Sequence, residues 1–215
     1  MGRKPSSRMP GEKRREQLLD CAAALFAQSG YARATTAELA KAAGVTEPII
    51  YRHFESKRDL FVALVDRAAE RTIHQWDEQL SSAKDPAERL RRLLSGNPMV
   101  SLRGRATYRV ILQAITEVDD PKIRDAVRKH IADLHAFVTR EVKRAQEENK
   151  VTERFSPEIV AWALIHVGLG YGVLSAMRIV GHGEDSAGHH VQDVIAHVLV
   201  GRGPGEEATA LAVDP

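Results

Sequence analysis

The chain is expected to be all-α. Apolar residues recur at three- and four-residue spacing along nearly all of its 215 residues, and no strand-like alternation persists. Glycine, proline and hydroxyl-bearing residues punctuate that pattern at intervals of about one helix length. Between Thr35 and Phe54, the run T-T-A-E-L-A-K-A-A-G-V-T-E-P-I-I-Y-R-H-F reads as two short helices joined by a tight glycine turn. That is the layout of a helix-turn-helix, in which one helix braces across the DNA backbone and the next enters the major groove.

The first helix spans Glu12 to Ser29, with Leu18, Leu19, Ala22, Leu25 and Phe26 as its core stripe and Gly30 as its stop. Thr35 and Glu38 then form a capping box, and Leu39, Ala40 and Ala43 give a narrow apolar stripe. Gly44 ends that helix because it adopts positive φ without steric cost. Thr46 caps the second short helix, and Pro48 sits in its first turn, where a missing N–H costs nothing. Ser56 and Asp59 open a long helix to about Ala83, with Leu60, Phe61, Leu64, Val65 and Ala68 on one side. Asp85-Pro86 opens another, carrying Leu90, Leu93 and Leu94 and broken at Gly96-Asn97-Pro98. Thr107 to Val118 follows, broken at Asp119-Asp120-Pro121, and a long charged helix then reaches about Asn149. Ser156-Pro157 opens a helix ending near Gly181. After a gap rich in Gly and His, Val191 to Val200 makes the last of about nine helices.

The helix-turn-helix segment resembles the DNA-binding domain of the tetracycline-repressor (TetR/AcrR) family of bacterial transcriptional regulators. The matching features are a first helix ending A-L-F-A-Q-S-G-Y, then T-T, then E-L-A-K-A-A-G-V, then I-I-Y-R-H-F-E-S-K-R-D-L. They cover about Arg14 to Leu64; the rest of the chain matches in length and helical pattern only. The resemblance implies an N-terminal three-helix DNA-binding domain followed by a C-terminal helical ligand-binding and dimerisation domain. The expected division is a disordered basic arm over 1–11, the DNA-binding domain over 12–56, the ligand-binding and dimerisation domain over 57–201, and a disordered tail over 202–215.

Composition fits such a regulator. The formal net charge is only +2, but it is unevenly spread. Through Asp59 there are eleven Lys and Arg against seven acids; the remainder carries twenty against twenty-two. Arg3, Lys4 and Arg8 lie in a Pro/Ser-rich stretch that reads either as a minor-groove arm or as a solubilising tail. The single cysteine, Cys21, cannot form an internal disulfide and suits a reducing cytoplasm, where it reads as a small buried hydrophobe. The basic N-terminus is not followed by the apolar run of a signal peptide. Ile159 to Met177 has no Asp, Glu, Lys or Arg, yet it contains His166, three glycines and Ser175. It reads as a core or interface helix and not as a membrane span.

In the second short helix, Ile50 and Phe54 share one face and should point inward. Glu47, Pro48, Ile49, Arg52 and His53 are left toward DNA or solvent. The resemblance gives Tyr51, His53 and Lys57 phosphate-binding positions. Thr36 and Thr46, in first turns, could donate to phosphate or act as plain caps. Among base readers, Glu47 could accept from cytosine N4, Arg52 could donate to guanine or take a phosphate, and Ile49 could touch a thymine methyl.

Gly168, Gly172 and Ala176 are spaced i, i+4, i+8 and make a smooth ridge, which the resemblance assigns to a four-helix homodimer interface. A helix break beside a ligand and packing within the chain are the alternatives. Aromatic and polar candidates for an effector pocket are Trp76, Tyr108, Gln113, Trp162, His166 and Tyr171. His189, Asp193 and His197 share a helical face but are too spread to chelate one ion together, so no metal site and no cofactor are expected.

The function implied is a homodimeric repressor that a mostly apolar small molecule releases from a near-palindromic double-stranded operator. A ligand-independent or activating regulator is the alternative. An all-helical enzyme using His53 or His166 as a base lacks any nucleophile–base–acid set, metal motif or glycine-rich phosphate loop to support it.

Overall fold

The computed structural model describes residues 10–95, 102–177, 179, 182 and 190–200. The basic arm around Arg3, Lys4 and Arg8, the side chain of Ala176 and the tail 202–215 lie outside the described residues. The regular elements among those described are nine helices: α1 Gly11–Ser29, α2 Thr36–Ala43, α3 Glu47–Tyr51, α4 Lys57–Ser81, α5 Pro86–Ser95, α6 Leu102–Ile115, α7 Pro121–Glu147, α8 Pro157–Ala176 and α9 Val191–Val200. Three boundaries depart from the sequence pattern by three residues or more, one being the end of α6 at Ile115 and not Val118. α6 begins at Leu102 and not Thr107, running through Gly104, which costs a helix only about 1 kcal/mol. α8 stops at Ala176, before the glycine that was expected to end it.

Three of the helix ends are capped as the sequence specifies. Thr35 Oγ1 accepts from the Glu38 amide at 3.2 Å, while Glu38 accepts from the Thr35 amide at 2.9 Å. Gly44 closes α2 at φ 65°, a left-handed conformation that explains its identity. Ser56 Oγ accepts from the Asp59 amide at 3.1 Å and starts α4.

The chain divides into two compact units. The first comprises residues through Ala69 together with Arg109–Arg128. It reaches beyond 12–56 because the first half of α4 and a second segment belong to the same core. Leu18, Leu19 and Phe26 of α1, Leu39 of α2, Ile50 of α3 and Leu60, Phe61, Leu64 and Val65 of α4 are all buried. Side chains of this size contribute about 1.5–3 kcal/mol each on burial. Phe26, Tyr31 and Phe61 form a ring cluster, with Tyr31 stacked on Phe61 at 4.2 Å. Gln113 Nε2 donates to the Phe26 carbonyl at 2.9 Å, and the ion pairs Arg58–Asp120 (3.4 Å) and Lys122–Asp59 (2.9 Å) hold the α6–α7 turn to the start of α4.

The second unit comprises Glu70–Tyr108 and the chain from Lys129. Its core joins Trp76 and Leu80 of α4, Leu90 and Leu93 of α5, Leu134, Phe137 and Val142 of α7, and Val160, Ala161 and Leu164 of α8. Thr72, His130, Glu141 and Gln146 are buried polar side chains of this unit. The Glu141 carboxylate, 1% exposed, accepts from Arg89 Nε at 2.6 Å. The His130 ring lies 3.3 Å, Nε2 to hydroxyl, from buried Tyr108. Burial pushes the Tyr108 phenol up and the His130 imidazolium down to about 4.

Candidate DNA-binding surface

The apolar stripes of α2 and α3 fix which residues are left outward. Ile50 and Phe54 are 1% and 5% exposed, so the inward face is the one their spacing implies. With that face buried, Pro48, Tyr51 and Arg52 are exposed, and Glu47, Ile49 and His53 are half-buried at its edge. Thr46 holds the N-cap position with extended backbone, but its side chain makes no capping bond, contrary to the cap expected of it. Pro48 in the first turn removes an amide that needed no partner, so α3 starts without the side-chain cap. The Thr46 hydroxyl is exposed and open to another acceptor.

Thr36 ties α2 to α3. Its hydroxyl donates to Glu47 Oε2 at 2.7 Å and lies 3.2 Å from the Tyr51 hydroxyl. Arg15 of α1 sits over the Phe54 ring at 5.0 Å from its centre, so one cation of the basic N-terminal region packs beside this motif.

Lys57 is more engaged than a lone phosphate-binding lysine. Its ammonium donates to the carbonyls of Tyr31, Ala32 and Ala34 at 3.0, 3.3 and 3.0 Å, and lies 4.6 Å from the centre of the Tyr31 ring. All three donors are used, so a phosphate contact requires surrendering at least one. Burial, then the carboxylates of Asp120 and Glu117, raise the Tyr31 phenol, which keeps that ring neutral under the cation. Lys57→Ala is therefore expected to destabilise the first unit by about 2 kcal/mol, the scale of bonds to a charged donor. Urea denaturation of the two proteins checks this; equal midpoints would show that the ammonium is not holding the Tyr31–Ala34 loop.

The effector-pocket candidates are not brought together. Gln113 belongs to the first unit. Trp76 is 5% exposed and stacks on Phe137 within the second core, while Tyr108 is paired with His130. Tyr171 is half-buried against the His182 ring at 4.7 Å. Trp162 and His166 lie on the outer face of α8, with Trp162 stacked on His135 at 4.3 Å. The glycine ridge is corrected as well: Gly168 and Gly172 are buried within the chain itself. The glycine on the exposed face is Gly170, where an added Cβ would meet nothing within 4 Å. Gly168 and Gly172 share the helical phase of Ala161, Leu164 and Ile165, which turns them inward. Among the described residues, no group of three His, Cys, Asp or Glu is placed to hold a metal ion.

A five-residue helix with an exposed polar face, braced by a capped helix across a glycine turn, is the reading head of a helix-turn-helix regulator. Residues 18–64 match the family profile of bacterial regulatory proteins of the tetR family. The chain is 36% identical over 90 residues to the HTH-type transcriptional activator FasR of Mycolicibacterium smegmatis, a match spanning 42% of this chain and 41% of that protein. It is 29% identical over 149 residues to the nucleoid occlusion factor SlmA of Vibrio campbellii, spanning 67% and 74%. A solved TetR transcriptional regulator from Chloroflexus aurantiacus superposes with a TM-score of 0.65 at 27% identity, covering 78% of this chain and 86% of that one. Residues 18–64 therefore carry the DNA-binding domain of the tetR family of bacterial regulatory proteins, and the chain shares the fold of a solved TetR transcriptional regulator.

Proposed function

We propose that the protein is a cytoplasmic repressor that binds a near-palindromic operator as a homodimer and is released from it by a small-molecule effector, with no catalytic role. The observation that carries the DNA-binding part is the outward face of α3, where Pro48, Tyr51 and Arg52 are exposed while Ile50 is buried. Thr36, Thr46, Tyr51, His53 and Lys57 would position the head on phosphates, and Glu47, Ile49 and Arg52 would read bases. Selection from random DNA tests this: a recovered motif with two-fold symmetry supports it, and no enrichment overturns it. The similarity to a named activator supports a second reading, in which the bound protein activates transcription. A reporter carrying the selected operator separates the two by the sign of its response.

The effector is proposed to enter the second unit among its helices. It would lower operator affinity by as much as it prefers the conformation with mis-spaced reading heads.

The homodimer is proposed to form through the exposed apolar residues of α8 and α9. Ile159, Trp162, Val167, Val173 and Leu174 of α8 and Val191, Val194 and Val198 of α9 are all exposed in the single chain. Pro157–Leu174 has the length and apolarity of a membrane span, but only 33% of it is buried in the chain. Pairing with a second copy would cover the remainder. Gly170 lies in that stripe with open space above it. Gly170→Leu is expected to leave the monomer folded and shift it away from dimer, since overpacking typically costs about 1–3 kcal/mol and acts once per subunit. Sedimentation of the variant at nanomolar concentration decides; an intact dimer places the two-fold contact elsewhere.

A further inference from the structure

The three side chains Thr36, Glu47 and Tyr51 form a chain of hydrogen bonds with one allowed direction. A carboxylate only accepts, so the 2.7 Å bond to Glu47 Oε2 must use the Thr36 proton. A hydroxyl carries one proton, so the 3.2 Å contact between Thr36 and Tyr51 must use the Tyr51 proton. The sense is therefore Tyr51 to Thr36 to Glu47. Both hydroxyls have spent their protons inward, and a DNA phosphate oxygen, which also only accepts, finds no donor on either.

We propose that Glu47 is a specificity-determining lock: it withholds the Thr36 and Tyr51 hydroxyls from phosphate until the exocyclic amine of a cytosine or adenine draws its carboxylate away. Withdrawal of the carboxylate frees the Thr36 proton, and Thr36 then releases that of Tyr51. Both can turn to the backbone. Where the strand facing Glu47 carries guanine or thymine, the pair's amine lies across the groove, the carboxylate stays, the hydroxyls stay locked, and its charge faces the phosphates. Phosphate contacts, which by themselves carry no sequence information, become conditional on one base. Glu47 is half-buried and Tyr51 is 49% exposed, so the chain runs from the edge of the head out to its surface. The inference rests on the DNA-binding reading above.

The test measures dissociation constants for a duplex selected from random DNA and for a scrambled duplex, at one salt concentration. The proteins are the parent, Glu47→Ala, Thr36→Val/Tyr51→Phe, and the triple variant, each checked for helicity. Glu47→Ala in the parent is expected to tighten scrambled-DNA binding about tenfold, the scale of two hydroxyl bonds regained, and to cut the selected-to-scrambled ratio by at least as much. In the Thr36→Val/Tyr51→Phe background the same change should give less than half that gain on a logarithmic scale, because no hydroxyl remains to be released. A carboxylate acting through charge alone gives equal gains in both backgrounds, and that result overturns the lock. So does unchanged scrambled-DNA affinity in Glu47→Ala. A parent protein that fails to distinguish selected from scrambled DNA overturns the DNA-binding reading and the lock together, whereas a selective parent with additive variants overturns the lock alone.

Discussion

Arg89→Met is expected to lower the stability of the second unit by about 3–5 kcal/mol, the scale for breaking a buried ion pair from one side. The Glu141 carboxylate is 1% exposed, and its partner at 2.6 Å is Arg89, itself 18% exposed. Arg140 and Arg144 stand at 3.6 and 3.3 Å, but both are half-exposed and spend part of their field on water. Removing Arg89 leaves a charge in the core with poor replacement, and also removes the 2.7 Å bond to the Leu80 carbonyl near the end of α4. Replacing both partners, as in Arg89→Met/Glu141→Leu, should recover most of the loss, because the desolvated charge goes too. Urea unfolding with matched slopes measures both. A loss under 1 kcal/mol for the single variant would show that Arg140 and Arg144 hold the carboxylate unaided.

Acid should destabilise the second unit through His130. Burial of this ring, 1% exposed, outweighs the pull of Asp133 and is aided by Lys129, so its pKa falls from 6.5 to about 4. In the unfolded chain the ring takes up a proton as pH drops through 6.5, while the folded ring stays neutral. Between those pH values the unfolded state binds more protons, so stability falls as pH falls. The full drop, complete below about pH 4, is on the order of 3 kcal/mol. His130→Phe, which cannot titrate, should show a flatter stability curve between pH 6.5 and 4. Parallel curves for the two proteins would mean that the buried ring is protonated in place.

The DNA-binding head was legible because its signals are local. The Thr35–Glu38 box, the Gly44 turn, Pro48 and the Ser56–Asp59 cap each act within four residues, and the inward face of α3 follows from i and i+4 spacing at Ile50 and Phe54. Partnerships over longer separations were not legible. Nothing near Lys57 announces that its donors go to carbonyls more than twenty residues earlier. Glu141 and His130 had a signal that charge concealed: both fall in phase with Ala126, Leu134, Phe137 and Val138 on the buried stripe of α7. A polar residue in phase with a core stripe predicts a buried polar group with a partner. The glycine ridge failed for a related reason, since an all-apolar helix gives no contrast by which to tell its inner face from its outer one.

The membership of Arg109–Arg128 in the first compact unit has a consequence for anyone who would recombine regulators of this kind. The head is discontinuous in the gene. A head excised at residue 69 would lose Val110, Ile111 and Ala114, which are buried, as well as the Gln113 bond to the last turn of α1. A chimera that exchanges specificity while preserving fold must carry two inserts across three splice points, after residues 69, 108 and 128. Cutting once, at the end of the motif that reads DNA, separates the reader from part of its own support.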